Sequence, residues 1–100
     1  MTIHISNHAF ERANERLSLR HDSFERLAIK AWEEGKQHSE LKGTIKKYVD
    51  GIYLTYNNAN SVRLFGEFVF LFAANKKTDK TTLITVYQIP VKLKRYLKSK

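Results

Sequence analysis

Three side chains able to act on a phosphodiester recur at one-turn spacing near the amino end of the chain: His8, Arg12 and Arg16. On a helix, residues four apart drift by about 40°, so the three occupy an arc of about 80° beside the apolar positions. A histidine transfers protons near neutral pH. The planar guanidinium of arginine donates two hydrogen bonds to phosphate oxygens. The spacing therefore describes a candidate phosphate site with its own proton carrier.

The same spacing has a plainer interpretation, and taken alone it favours that one: the arginines pair with nearby glutamates, and His8 is simply a residue of the helix start. Other catalytic patterns are missing from the sequence. It has no cysteine, no glycine-rich phosphate loop, no nucleophile elbow and no acidic cluster suited to Mg²⁺. We therefore expect no metal and no cofactor. Any nuclease activity would use the 2′-hydroxyl of RNA, with proton shuttles and cationic groups as the catalytic machinery.

The formal charge of +8 is unevenly distributed along the chain. Residues 1–40 carry six basic and seven acidic side chains, whereas residues 41–100 carry twelve and three. Because neutralised phosphates supply most non-specific affinity for nucleic acid, this pattern favours a polyanionic partner. We expect Lys42 and Lys47 to steer the strand from the same side of the fold as Arg12. A basic surface that only keeps the protein in solution is the alternative.

Length and composition indicate one domain spanning residues 1–100. A hydrophobic fraction of 42% and an aromatic fraction of 12% are too high for a disordered chain. The longest apolar run, residues 68–74, is too short to cross a bilayer. The first residues lack the basic and apolar regions of a signal peptide. We therefore expect a cytoplasmic protein that does not contact a membrane.

Hydrophobic periodicity predicts that the first part of the domain, about 7–57, is helical. A first helix over 7–17 has Ser6 or Asn7 as its cap. A second helix has Asp22 as its cap, with Glu25 completing a capping box, and ends before Gly35. Residues 39–57 carry an apolar stripe typical of a third helix, whereas the dipeptide 50–51, Asp-Gly, is typical of a hairpin. Poor alternation around that dipeptide favours the helix.

The pattern changes to strands over about 61–89. Residues 61–65 and 68–74 form a predicted hairpin through a type II′ turn at 66–67, which sets Phe65 opposite Phe68 and Arg63 opposite Phe70. A third strand covers 82–89, residues 2–5 extend the sheet, and Pro90 begins a short helix in the basic segment 90–100. The predicted fold class is α+β, with N-terminal helices on one face of an antiparallel meander of three to four strands. The hairpin phenylalanines leave apolar surface for a homodimer or an antidote protein.

Several sequence blocks carry a family resemblance. The segment His8-Ala9-Phe10-Glu11-Arg12 resembles the HAxxR-type first helix of small proteins borne by phages and mobile elements. Residues 38–43, 47–49, 60–66 and 83–86 resemble later blocks of the same group, in order. The group is similar to the BECR superfamily of barnase, EndoU, colicin and RelE types, in which leading helices pack on an antiparallel sheet. The resemblance implies a BECR-like fold and a toxin-type, metal-independent ribonuclease acting on tRNA or mRNA.

The resemblance also implies site residues: His8 and Arg12 on the first helix, with Arg63 and Thr85 from strands, form the catalytic set. We expect His8 to be the general acid or base, the arginines to hold the scissile phosphate and Thr85 to orient it. The expected RNA contacts are Arg16, Lys42, Lys47 and Tyr87. An antitoxin, an immunity protein or a host protein is a further expected partner. The alternative is a non-catalytic phage accessory or inhibitor protein that binds nucleic acid or a host protein.

Overall fold

The computed structural model describes residues 3–18, 20–55, 59–75, 77–78 and 80–98. Thr2 and residues 56–57, which belong to the predicted first strand and third helix, lie outside the described residues. The described part contains strands, α-helices and two 3₁₀ helices. In chain order they are β1 Ile3–Ile5, α1 Asn7–Leu17, α2 His21–Glu34, β2 Lys36–Gln37, a first 3₁₀ helix His38–Glu40, α3 Gly43–Tyr53, β3 Ser61–Phe65, β4 Phe68–Asn75, β5 Lys80–Gln88 and a last 3₁₀ helix Val91–Lys98.

The strands form one five-stranded sheet in the order β1-β5-β4-β3-β2. β1 pairs with β5 in parallel, and the other neighbours are antiparallel. The α+β class is confirmed, but the predicted antiparallel meander of three to four strands is wrong because the sheet is mixed and has five. The prediction that residues 2–5 extend the sheet is confirmed by β1, but its parallel pairing with β5 was not predicted. The fifth strand, β2, is two residues long, too short for alternation to reveal it.

Helices cover both faces of the sheet, which corrects the prediction that they cover one. Phe70 and Phe72 of β4 pack in one apolar cluster with α1 and α2. Val69 and Leu71, which alternate with these phenylalanines along β4, pack in a second cluster with α3 and the last 3₁₀ helix. A strand buried on both faces has a continuous apolar sequence rather than an alternating one. The unbroken run at 68–74 was that signal.

The predicted start of α1 is confirmed and that of α2 is wrong. Ser6 precedes α1, and its hydroxyl accepts a hydrogen bond from the backbone N–H of Ala9 at 3.1 Å. α2 begins two residues earlier than a cap at Asp22 predicts, at His21, after Arg20, whose side chain makes no capping bond. Asp22 therefore lies inside the first turn rather than at a capping box. Its negative charge there favours the helix through the helix dipole.

The segment with two candidate structures is a helix. α3 runs from Gly43 to Tyr53, so the Asp-Gly dipeptide lies within it and the hairpin alternative is wrong. The helix is shorter than the predicted stripe, because a 3₁₀ helix and an extended Leu41 precede it. Ile45 and Val49 are buried one turn apart against the sheet. Their burial directs the polar positions between them to the surface.

The β3–β4 hairpin is confirmed with its register: Phe65 pairs with Phe68, and Arg63 with Phe70. Gly66 has a φ of +61°, the positive value that a type II′ turn requires at its first central position. Two of the four hairpin phenylalanines, Phe65 and Phe68, keep some exposed surface, so the homodimer or antidote contact stays a prediction. Phe70 and Phe72 are fully buried under α1 and α2, and Phe65 and Phe68 pack against the same cluster.

β5 contains a bulge and has an outer edge that β1 only partly covers. Leu71 pairs with Thr85 and Phe72 with Leu83, so Ile84 is the extra residue. β1 pairs with 81–83 alone. Beyond it, side chains reach the edge carbonyls. The oxygens of Ile84, Val86 and Gln88 accept hydrogen bonds from Ser6 Oγ, Arg16 Nη1 and Tyr48 Oη at 3.2, 3.1 and 3.5 Å.

The predicted short last helix exists as a 3₁₀ helix. Pro90 precedes it, and its carbonyl accepts a hydrogen bond from the backbone N–H of Leu93 at 2.9 Å. Leu93 packs against the α3 cluster, which fixes this helix on the same side of the sheet as α3. In the described part of the chain, no helix has both the length and the apolar character needed to span a membrane.

Candidate nucleic-acid interface

Charge is segregated between the two faces of the sheet. The segments of α1 and α2 carry four basic and six acidic side chains. The described side chains of residues 41–55, which contain α3, and of the last 3₁₀ helix include five basic ones and one acidic one, Asp50. The charge asymmetry of the sequence is therefore an asymmetry between the faces. The face that carries α3 is the candidate polyanion interface.

Four lysines of this face are exposed: Lys42, Lys46 and Lys47 at α3, and Lys92 in the last 3₁₀ helix. We name this set the basic surface. None of the four forms an ion pair with another described residue. Lys42 also precedes the helix without a side-chain capping bond, so the positive end of the α3 dipole adds to the lysine charges. The arrangement suits the attraction of a phosphate backbone.

Two of the predicted RNA-contacting residues meet at the outer edge of β5. The guanidinium carbon of Arg16 lies 4.3 Å from the centre of the Tyr87 ring. Tyr48 of α3 lies close to the same arginine. Its burial raises the pKa of its hydroxyl, and the charge of Arg16 opposes that rise. Arg16 thus reaches around the sheet edge from α1 toward the α3 face, beside two aromatic rings suited to stacking with bases.

His8 and Arg12 occupy the surface of α1. His8 is exposed. Arg12 donates from Nη1 to Glu15 Oε2 at 2.8 Å, the surface ion pair of the plainer interpretation. The Nε of Arg12 is buried and has no hydrogen-bond partner among the described residues. Of His8 and Arg12, it is the Arg12 Nε–H that offers a buried hydrogen-bond donor not accepted by any described residue.

Arg63 is engaged in structural contacts on the α2 side. Its Nε donates to the carbonyl of Trp32 and its Nη1 to that of Val62, both at 3.1 Å. Its guanidinium carbon lies 4.2 Å from the centre of the Trp32 ring. Burial lowers the pKa of Arg63, and the charge of Glu40 opposes that change. These contacts tie the end of α2 to β3, two strands away from the strand beneath α1.

Thr85 and the lysines of α3 lie across the sheet from Arg12. Thr85 is fully buried and pairs with Leu71, whose side chain belongs to the α3 cluster. The Oγ1 of Thr85 has no hydrogen-bond partner in the described part of the chain. The prediction that Lys42 and Lys47 lie on the side of Arg12 is wrong, because α3 covers the second face. The predicted site residues are therefore distributed over separate places instead of one cleft.

The structure adds a pair that the sequence did not reveal, His38 and Asp50. The Nε2 of His38 forms a hydrogen bond with Asp50 Oδ1, and the His38 ring centre lies 5.9 Å from that of Tyr53. The two side chains retain 39% and 42% of their exposure. The pair joins the first 3₁₀ helix to α3, beside the basic surface. The sequence signal for the position of Asp50 is the apolar stripe of the third helix, since a helix there places Asp50 one turn beyond Lys46.

Among the described residues, no three His, Cys, Asp or Glu side chains lie close enough together to hold a metal ion. Comparison of the chain with protein-family models, with curated protein sequences and with solved structures finds no match. The resemblance to the BECR group therefore remains a prediction that rests on the sequence blocks quoted above. The functional argument depends on the geometry and charge of this chain.

Proposed function

We propose that the protein binds nucleic acid, and RNA in particular, through the basic surface. The observation that carries the proposal is the segregation of charge among the described side chains: five basic and one acidic on the segments of the α3 face, against four and six on α1 and α2. A surface that serves solubility alone intersperses both signs, whereas a single-sign field steers a charged partner. Five of the twelve basic residues of 41–100 are described side chains of these segments and supply this field.

Single-stranded RNA fits this surface better than a duplex does. The basic surface lies on helices and is bordered by the rings of Tyr48 and Tyr87, with the Arg16 guanidinium over the second ring. Unpaired bases stack on aromatic and guanidinium planes, while lysines neutralise the backbone. A strand that follows α3 to the edge of β5 would meet both kinds of contact. This path assigns the predicted RNA contacts of Lys42, Lys47, Arg16 and Tyr87 to one continuous route.

The test is binding of a labelled single-stranded RNA, followed by fluorescence anisotropy at several salt concentrations. Replacing Lys42, Lys46 and Lys47 by Gln removes three phosphate contacts. The slope of log affinity against log salt should then fall by about 2, since each contact contributes about 0.7 for single strands. The matched control replaces three exposed basic residues of the other face by Gln: Arg20, Arg26 and Lys30. Equal losses from both variants, or no RNA binding by the wild-type protein, would reject the proposal.

A second candidate is a metal-independent ribonuclease of toxin type with a BECR-like fold. The sequence blocks support it, as do leading helices packed on the sheet and an acid–base pair beside the basic surface. The five-stranded mixed sheet departs from the expected meander. A catalyst should cut tRNA or mRNA in EDTA and should be toxic when expressed without an antidote protein. A pure binder should retard RNA on a gel and leave it whole.

A further inference from the structure

We infer that His38 and Asp50 are an acid–base pair that cleaves RNA by activating a ribose 2′-hydroxyl. The inference rests on the proposed binding of RNA at the basic surface. The pair differs in place from the His8 group of α1, because its residues come from the first 3₁₀ helix and from α3. RNA supplies the nucleophile itself, so a base and cationic groups are the protein groups that the reaction needs.

The geometry of the pair suits a general base. Asp50 engages the Nε2 of His38, which fixes the ring orientation and favours one tautomer. The opposite ring nitrogen, Nδ1, has no hydrogen-bond partner among the described residues. The backbone of His38 is fixed as well, because its carbonyl accepts a hydrogen bond from the N–H of Leu41 at 3.1 Å. A partly exposed histidine held in this way presents one free nitrogen to a bound substrate.

The surroundings of the pair supply the remaining groups. Lys46 and Lys47 precede Asp50 by four and three residues, so they lie within one helical turn of it on α3. Their ammonium groups are exposed and form no ion pair with a described residue. Positive charge there stabilises the additional negative charge that develops on the phosphate oxygens during the reaction. The Tyr53 ring beside His38 offers a face for the neighbouring base.

The chemical step balances without an added reactant. His38 Nδ1 removes the proton of the 2′-hydroxyl, and the 2′-oxygen forms a bond to the adjacent phosphorus. The bond from phosphorus to the 5′-oxygen of the next nucleotide breaks, and the leaving oxygen takes a proton from water. The products are a 2′,3′-cyclic phosphate and a 5′-hydroxyl. The imidazolium then returns its proton to the solvent.

Stability alone gives little reason for the pair. Ion pairs between exposed side chains contribute about 0–1 kcal/mol to folding. A purely structural link between the 3₁₀ helix and α3 is nevertheless the alternative role of the pair. The two roles predict different results. Loss of a structural link lowers the stability of the fold, whereas loss of a general base slows only the cleavage of substrates that contain a 2′-hydroxyl.

The substrate for the test is a DNA oligonucleotide that contains a single ribonucleotide, incubated with the full-length protein in EDTA. We expect cleavage only after the ribonucleotide, with a 2′,3′-cyclic phosphate on the product, and none when that residue is 2′-O-methylated. His38→Gln should slow cleavage by at least about 100-fold, the contribution of a positioned acid or base. His4→Gln is the matched control, since His4 is exposed on β1, and β1 lies at the opposite edge of the sheet from β2, the strand that directly precedes His38. Circular dichroism and a thermal melt check that both variants are folded.

Asp50 acts through His38, so it is a positioning residue, and its test is the split between kcat and KM. Asp50→Asn keeps a hydrogen-bonding side chain but removes the carboxylate that fixes the His38 tautomer. We expect kcat to fall about tenfold with KM unchanged, as for the loss of about 1.4 kcal/mol of transition-state stabilisation. Asp50→Glu keeps a carboxylate and should restore part of the rate. A purely structural link would lower the melting temperature and leave kcat unchanged.

The outcomes separate this inference from the proposed function. Wild-type protein that binds RNA but does not cut the single-ribonucleotide substrate would overturn the inference and keep the binding function. Cleavage by His38→Gln at the wild-type rate would overturn it as well. An activated small substrate, uridine 3′-(4-nitrophenyl phosphate), probes the pair with little help from the lysines. Its cleavage by a protein that binds no RNA would overturn the binding proposal and leave the acid–base pair.

Discussion

The two faces of the sheet differ both in the side chains buried beneath their helices and in the charge of their outer surfaces. Beneath α1 and α2 the core is aromatic: the Phe24 and Phe70 ring centres lie 6.4 Å apart, and those of Phe70 and Phe72 lie 6.3 Å apart. Beneath α3 the buried residues are aliphatic, among them Val49 and Leu71. The outer surfaces differ in the opposite sense, since the aromatic face is weakly acidic and the aliphatic face strongly basic. The aromatic core lies on one face, and the excess of positive charge lies on the other.

This difference has a physical consequence for how function and stability are coupled. Like charges repel one another, so a basic surface destabilises the fold that carries it. The large aromatic contacts that offset such a cost lie on the opposite face, where they do not restrict the surface that meets a ligand. We therefore expect substitutions on the two faces to separate stability from RNA binding, and five experiments test how far this holds.

The largest effect should come from neighbouring residues of β4 that face opposite ways. Phe70→Ala should lower the free energy of unfolding by about 3–5 kcal/mol, and Leu71→Ala by about 2–5 kcal/mol, because both leave cavities and the phenylalanine is larger. Both side chains are fully buried, which makes them a matched pair. Urea unfolding measures the difference. A larger cost for Leu71→Ala would reverse the assignment of the main packing to the aromatic face.

The next effect concerns where the charge lies, at constant total charge. A charge-swap variant exchanges three lysines of α3 for glutamates and three exposed glutamates of α2 for lysines, which keeps the formal charge of +8. RNA affinity should fall about 100-fold, because phosphate contacts depend on where the positive charges lie and not on the total charge of the protein. Anisotropy at fixed salt measures it, and affinity within threefold of wild type would mean that net charge alone drives binding. The exchanged residues are Lys42, Lys46, Lys47, Glu25, Glu33 and Glu34.

Thr85→Val tests a site residue predicted from the sequence. The Thr85 hydroxyl is buried without a partner among the described residues, so removing it should stabilise the protein by about 1 kcal/mol. Cleavage and binding of RNA should not change. Thr82→Val, at a half-exposed position of the same strand, is the control. Loss of cleavage in a folded Thr85→Val protein would restore Thr85 to the catalytic set.

His8→Ala tests the α1 face. Because His8 is exposed, its loss should change the free energy of unfolding by less than about 0.5 kcal/mol, as is usual for surface substitutions. Cleavage of the single-ribonucleotide substrate should continue at the wild-type rate if His38 is the base. Thermal melts and a cleavage assay measure the two effects. Abolished cleavage would instead assign the chemistry to the group of His8 and Arg12.

The smallest effect is a pH dependence at the hairpin turn. Hydrogen bonds from Gln88 and Lys94 hold the pKa of Glu67 below its usual value. The folded state therefore favours the carboxylate, and this stabilisation is present above the unfolded pKa and lost as the pH falls through the folded one. Melting temperatures of the wild type and Glu67→Gln should differ slightly at neutral pH and converge in acid. A difference that persists in acid would contradict the assigned cause.

Elements with strong local signals were predictable from the sequence. The cap of α1 and the β3–β4 register follow from a serine before an apolar period and from a glycine in a two-residue turn. α3 was correctly favoured as a helix. The parallel direction of β1 and the whole of β2 were not predictable in this way, because the pairing partners are distant in the chain and β2 is too short for a period.

The site was less predictable than the fold, since it depends on which face each helix covers. His38 and Asp50 are 12 residues apart and meet only because a 3₁₀ helix turns the chain back toward α3. Arg63 was expected to hold a phosphate, yet its hydrogen bonds go to backbone carbonyls that hold α2 on the sheet. Spacing along one element does not contain that information.

The covered edge of β5 has a consequence for how copies of the protein meet at high concentration. A strand with free carbonyls is a template on which another chain adds a strand, and sheets joined in this way grow into aggregates. Here Ser6, Arg16 and Tyr48 occupy the carbonyls that β1 leaves uncovered. The opposite edge, β2, offers only two residues and begins with Lys36. The β5 edge of the sheet is thus closed to extension. One of the residues that close it, Arg16, also stacks on Tyr87 at the border of the proposed RNA path.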